Sequence, residues 1–342
     1  MKPIERVFTA LQHKEPDKVP IFLLMTVQGA IKLDMSFTEY FTSPTGVHVA
    51  KGQLKLQEKY GYDCLYPFFY AAKEYEAFGG KAIVKQNGPP ESGKPVFSSV
   101  EELLAAELPP PESEVMKPVI EAQKLLFDKK GDELPLINAV IAPLSLPIML
   151  LGFEKWIDYV AFQPETAREA AMYLCDYTIS LANYLLEHHA TALAYFNPLA
   201  SSDLLRLEDY KQVSLDACKK FYDQVKGPAV YAFAGAKCEN LLPVIVNELK
   251  APGVTVSAFD DLTKIKNEWG LKTNLVGNLN NVAMVDWSPE SAEEEIKKSI
   301  KSGSEGGGFI ISDHHGDLPL QVTEEVIVAM MKARDKWGSY DG

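Results

Sequence analysis

Cysteine is scarce and unclustered in this chain: its 342 residues hold four, Cys64, Cys175, Cys218 and Cys238, with no Cys-x-x-Cys pair among them. That scarcity argues against a disulfide-stapled secreted scaffold and for reduced thiols in a cytoplasmic protein. Positive charge is short too, with 34 Lys and Arg against 47 Asp and Glu and a formal net charge of −13. With no local basic patch, such a surface repels nucleic acid and anionic membrane, so neither is an expected partner. No apolar run reaches the roughly 18 residues of a membrane span. The opening residues lack the apolar stretch and small-residue cleavage site of a signal peptide. No Gly-x-Gly-x-x-Gly follows a strand-like run, which removes the usual dinucleotide fingerprint, and no internal repeat is visible.

What the chain does have is core material, 46% hydrophobic residues, in a regular alternation. After an opening helical pattern at 4–12, apolar runs at 19–26, 64–70, 135–141, 192–197, 229–234, 254–259, 273–276 and 309–312 are separated by helical patterns. Those fall at 45–60, 114–128, 153–159, 164–187, 207–225, 240–249, 262–269, 289–302 and 323–337. Short connections between alternating strands and helices predict parallel strands crossed by helices. The count fits one α/β domain over 1–342, a single (β/α)8 TIM barrel with an N-terminal helical extension.

In such a barrel the strand ends carry the chemistry. The stretch Ile310-Ile311-Ser312-Asp313-His314-His315-Gly316-Asp317-Leu318-Pro319 puts two histidines and two aspartates at one strand end. Its His315, His314 and Asp313 are candidates for metal binding or proton transfer. Cys238, after the run at 229–234, and His315 together would make half of a zinc site. Asp260, after 254–259, is a candidate third ligand or acid. Glu74 and Glu76 follow the second apolar run, where one can point into the barrel mouth and the other reading is a loop-fixing salt bridge. Asn197 and Asn278 end strands and are candidates to orient a substrate. Phe22, Tyr66, Phe68, Phe69 and Tyr70 can line an apolar slot, although buried aromatics are more often ordinary core. His188 and His189 read as a helix C-terminus, and His13 and His48 as surface residues.

Four segments carry a family resemblance: the opening Glu5–Pro20, the Glu-x-Glu-Ala-x-Gly pattern from Glu74 to Gly79, the run from Pro143 to Glu154, and Leu275-Val276-Gly277-Asn278-Leu279. In order, and over nearly the whole chain, they resemble the uroporphyrinogen decarboxylase superfamily. The decarboxylases of that superfamily grip substrate carboxylates with an arginine-rich motif after the first strand. This chain has Leu24-Met25-Thr26-Val27-Gln28-Gly29-Ala30 there, with no arginine. The better resemblance is to the corrinoid-dependent methyltransferase branch, which includes methylcobamide:coenzyme M methyltransferases and O-demethylase components.

That branch implies zinc, Zn2+, held by a His-x-Cys on one strand end and a cysteine near the C-terminus. Here Cys238 matches the first cysteine, His315 stands where the last would be, and position 236 is Ala. A thiolate replaced by imidazole donates less charge and leaves zinc a stronger Lewis acid. The expectation is therefore a methyltransferase that moves a methyl group from a small donor, best an aryl methyl ether, to the Co(I) corrin of a separate corrinoid protein. The cobalamin would sit on that partner, since no Asp-x-His-x-x-Gly corrinoid motif occurs in this chain. Two alternatives stay open: transfer from a methyl-corrinoid to a thiol of the coenzyme M type, and a barrel that binds a partner or a tetrapyrrole without catalysis. The oligomeric state, a homo-oligomer included, is open.

Overall fold

The computed structural model describes residues 1–313 and 316–340. Seven parallel strands run through it: β1 (Ile21–Phe22), β2 (Ile137–Ile141), β3 (Ala192–Phe196), β4 (Ala229–Ala232), β5 (Gly253–Val256), β6 (Asn274–Leu279) and β7 (Phe309–Asp313). Their order is β1-β7-β6-β5-β4-β3-β2. The gap between β1 and β2 is filled by residues 63–66, so the sheet curls into a ring of eight staves. Asp63 N donates to Ile21 O at 2.9 Å, Leu65 N to Pro135 O at 2.9 Å, and Ile137 N to Leu65 O at 2.9 Å. Helices surround the sheet, and no helix among the described residues is long and apolar enough to cross a membrane.

The strands read as nearly continuous apolar runs because both faces are covered. Successive side chains point to opposite faces, and two cores result. Leu193 and Tyr195 of β3 pack outward under the helices with Leu275 and Ile311. Phe22, Leu24, Cys64, Tyr66, Ala139, Val276 and Ile310 pack inside the ring, with Ala194 and Phe196 against them. Alanines on the inner face leave the upper part of the ring unfilled.

The predicted second strand at 64–70 shortens to a few ladder bonds for a local reason. Buried Gln53, on the helix Val47–Tyr60, accepts from Tyr66 N at 3.2 Å and donates to Met25 O at 2.6 Å. A side chain thus takes the hydrogen bonds that a longer ladder would make. The predicted first strand at 19–26 shrinks to two residues the same way: Ile21, Leu24 and Thr26 donate their N–H groups to the carboxylates of Asp63, Asp313 and Asp317. The predicted helix at 240–249 is a π-helical segment, Pro243–Glu248, preceded by a short turn at Glu239–Leu241.

The first helix, Pro3–Leu11, plugs the N-terminal end of the ring, with Val7 inside the inner core. It is pinned at Gly308 N to Ala10 O (2.8 Å) and Asn274 Nδ2 to Leu11 O (3.3 Å). The run Gly306-Gly307-Gly308 is what lets the chain pass beneath it. Gly307 has φ +70°, and a Cβ there would lie 2.3 Å from Lys14 O.

Candidate active site

The loops after β1 and β7 are stitched together at the C-terminal end of the ring. Asp313, the last residue of β7, accepts from Leu24 N at 2.9 Å and from Gly316 N at 3.2 Å. Asp317 accepts from Thr26 N at 3.1 Å and from Thr26 Oγ1 at 2.5 Å. Gln28 Nε2 donates to Leu318 O at 2.8 Å, and Asn281 Nδ2 to Asp317 O at 2.6 Å. The two aspartates are therefore rigidly placed side by side.

Among the described residues no lysine or arginine pairs with either aspartate, and apolar surroundings favour the protonated forms. Burial raises Asp313 to about 6 despite its two N–H donors. Burial, with the nearby Asp313 charge adding to it, raises Asp317 to about 7. Glu74 lies on the short helix Ala72–Ala77, 4% exposed, with Oε1 accepting from Ile141 N at 2.7 Å and Oε2 meeting no partner among the described residues. Burial lifts it to about 8. Its neighbour Glu76 is the loop-fixing residue, accepting from Tyr70 Oη at 2.9 Å and pairing with Lys73 at 3.1 Å. Three carboxyls that can hold or release a proton near neutral pH thus lie at the C-terminal end of the barrel, Asp313 and Asp317 as neighbours and Glu74 on a separate segment.

Beside them opens a cavity of about 480 Å³. Phe68 and Tyr70 line it together with Tyr66, Phe69, Phe196 and Asp317. Phe68 stacks on Tyr66 with ring centroids 5.3 Å apart and tilts against Phe196 at 6.4 Å. Burial, then the charges of Asp317 and Asp313, hold the Tyr66 phenol well above its ordinary value. Phe22 lies deeper, edge-on to Tyr66 at 5.7 Å, in a smaller apolar space of about 80 Å³ that shares Phe196, Ala234 and Gly316 with the larger one. The two spaces adjoin at those three residues.

The remaining residues singled out in the sequence fall elsewhere. Cys238 follows β4, fully buried, and its N–H donates to Asp260 Oδ2 at 2.9 Å. Burial and the Asp260 carboxylate push its thiol well above the ordinary range. His314 and His315 lie outside the described residues. Zinc needs three protein ligands at a catalytic site and four at a structural one. Cys238 and Asp260 supply two, and no group of three or more His, Cys, Asp or Glu that could hold a metal occurs among the described residues. These residues do not by themselves fit the metal. Asn278 joins Asp260 in a separate polar cavity of about 460 Å³ and donates to Ser257 O at 3.3 Å. Asn197 is fully buried, accepting from Ser145 Oγ and donating to Tyr231 Oη, both at 2.7 Å, which commits its amide to the core.

His188 caps its helix through Nδ1 to Tyr184 O at 2.8 Å, and His189 stacks on Phe127 at 3.9 Å. The sequence alone gave no role to Asp317 or Thr26. The available signal was position: Asp317 stands two residues past His315 in the motif already singled out.

Comparisons with known proteins place this geometry. The family model described as uroporphyrinogen decarboxylase (URO-D) matches residues 2–337. A methylcobamide:CoM methyltransferase MtbA of Methanosarcina mazei is 27% identical over 312 residues, 88% of this chain and 89% of that protein. A methylcobamide:CoM methyltransferase MtaA of Methanosarcina barkeri is 24% identical over 340 residues, 97% of each. A solved methyltransferase from Methanosarcina mazei superposes with a TM-score of 0.84 at 21% identity, covering 98% of this chain and 99% of that one.

Proposed function

Starting from the fact that the chain belongs to the uroporphyrinogen decarboxylase (URO-D) family, we propose that it is a corrinoid-dependent methyltransferase. It moves a methyl group between the cobamide of a separate corrinoid protein and a small molecule seated in the aromatic cavity. The observation that carries this reading is the cavity itself. At about 480 Å³ it suits a small substrate and is too small for a corrin with its side chains, so the cobamide stays on its partner and meets the substrate at the mouth. The direction we favour is methyl-cobamide to thiol, supported by the names of relatives that align over most of their length.

The cobamide supplies the methyl group and takes the cobalt–carbon bonding pair when the thiol sulfur attacks. The residues of this chain do the rest. The walls of Tyr66, Phe68 and Phe196 exclude water and hold the substrate in line. Asp317, titrating near neutrality on the cavity wall, accepts the thiol proton so that sulfur attacks as a thiolate. Asp313, behind it, holds the loops after β1 and β7 in register. Methyl transfer from an aryl methyl ether is the second reading, favoured by the aromatic walls.

An anaerobic absorbance assay separates the two. Loss of the methylcobalamin spectrum on adding small thiols supports the favoured direction. Methylation of Co(I) cobalamin by methoxyaromatics supports the second, and silence in both overturns the enzymatic reading.

A further inference from the structure

Two walls of the aromatic cavity meet without a backbone ladder between them. One is the segment 67–71, which carries Phe68, Phe69 and Tyr70. The ladder ends before it at Tyr66, and among the described residues no backbone N–H or C=O of 67–71 bonds to another segment. The other wall is the end of β2, where Ile141 lines the same cavity. Glu74 spans the corner between them. It stands two residues beyond the cavity-lining Ala72, and its Oε1 accepts from Ile141 N at 2.7 Å. Ile141 O is held in turn by Thr178 Oγ1 at 3.3 Å, so side chains fix both polar groups of this strand end.

The second oxygen of Glu74 decides the chemistry of the tie. Glu74 Oε2 and Tyr177 Oη are both buried, and neither meets a hydrogen-bond partner among the described residues. Burial, then the Glu74 charge, raises that phenol well above its ordinary value. The end of β2 and the helix Pro147–Leu151, which packs on the Glu74 helix, bear no titratable side chain. On its own helix Lys73 is committed to Glu76, which also accepts from Tyr70 Oη. A carboxyl in these surroundings is cheap to bury uncharged and costly to bury as an anion. The anion gains hydration only if the helix Ala72–Ala77 draws away from β2, and the segment 67–71 is joined directly to that helix.

We propose that Glu74 is a positioning residue: as the uncharged acid it ties the aromatic wall to β2, it acts on the bound molecule through Phe68, Phe69 and Tyr70, and loss of its proton frees that wall. The proposal goes beyond the methyl-transfer reading and holds for whichever small molecule the cavity takes.

The test is amide hydrogen exchange at single-residue resolution on the full chain from pH 5.5 to pH 8. Each wild-type rate is divided by that of Glu74→Gln at the same pH, which cancels the chemical rate. Glutamine keeps an acceptor for Ile141 N and has no proton to lose. Glu74 is at about 8 in place against an ordinary 4.5, so the tie is intact below about pH 4.5 and is lost as pH rises through about 8. The linkage ceiling is about tenfold per pH unit, and the ratio for Ile141 N–H should rise at least about tenfold over the range. In the wild type at pH 8 Ile141 should exchange faster than Leu193, whose N–H is bonded to Pro228 O in the ladder of β3, because the opening is local.

An Ala72→Cys variant reads the wall itself. Its thiol should be alkylated by iodoacetamide at least about fivefold faster at pH 8 than in the same variant carrying Glu74→Gln, while the four buried native cysteines stay unlabelled. A flat Ile141 ratio, equal exchange of Ile141 and Leu193, or a labelling rate that Glu74→Gln leaves unchanged overturns the proposal. Should Ala72→Cys not fold, the Ile141 measurement decides alone. Neither readout involves a methyl donor, so failure of the methyltransferase reading shows only in the absorbance assay.

Discussion

At the N-terminal end of the barrel Asp63 is fully buried and both its oxygens meet guanidinium groups; at the C-terminal end Glu74 is almost as buried, and one of its oxygens meets no partner among the described residues. Arg6 Nη1 reaches Asp63 Oδ1 at 2.6 Å, Arg334 Nη1 reaches Oδ2 at 2.7 Å, and Ile21 N adds a bond at 2.8 Å. Asp17, against the cost of its own burial, is pulled down to about 2 by the Arg6 hydrogen bond. The C-terminal carboxyls go the other way, Asp313 to about 6, Asp317 to about 7 and Glu74 to about 8. One chain therefore buries acids for two purposes. Where they are paired they hold the barrel shut, and where no cation among the described residues reaches them they remain able to exchange protons at the C-terminal end of the barrel.

The comparison breaks most visibly at Asp63. Asp63→Ala removes the one fully buried carboxylate that two guanidinium groups share, leaving Arg6 to Asp17 and Arg334 to Asp335, and chemical denaturation should register a loss on the order of 3–5 kcal/mol. A loss under about 1 kcal/mol would mean that the pairing contributes little. Glu74→Gln is the mirror experiment and should stabilise the protein. Glu74 is near 8 in the folded state and has an ordinary value of 4.5. Its contribution is fully present below about pH 4.5 and is lost as pH rises through about 8. Wild-type stability should thus fall by a few kcal/mol between about pH 5 and 8.5, since each tenfold difference in proton affinity between the folded and unfolded states corresponds to about 1.36 kcal/mol. Glu74→Gln should make that fall shallower, leaving the part owed to Asp313 and Asp317, and an unchanged pH profile would remove Glu74 from the raised set.

Asn197→Ala sharpens the boundary between core and site. With two buried hydrogen bonds broken, a cost of about 1–3 kcal/mol is expected. Ligand affinity per folded molecule should hold, and a selective loss of affinity would return Asn197 to the cavity. Smallest of all, Lys264→Ala removes an exposed partner of Glu239 and should leave the denaturation midpoint unchanged.

How legible these two ends were differs with the residue. The helix Pro164–Glu187 and the strand Ala192–Phe196 could be read from periodicity, with a proline to start the helix and an unbroken apolar run for the strand. Glu74 and Asp313 stood out because they sit in motifs at strand ends. Asp317 and Thr26 did not, because their importance lies in a contact across 291 positions of sequence. Nor could the sequence foretell that Gln53 would end the ladder at Tyr66, or that Asn197 would turn into the core.

The class of fold, the strand–helix alternation and the family were all fixed at the level of the amino-acid order, since these follow from local periodicity and from short motifs that survive without knowledge of contacts. Which acids are paired and which are not was settled only when distant segments met. Asp63 and Glu74 are both buried carboxylates beside apolar segments, and nothing in their neighbours along the chain tells them apart. The difference is that folding brings Arg6 and Arg334 to one and the backbone N–H of Ile141 to the other. The proton affinity of a buried acid is set by what surrounds it in space.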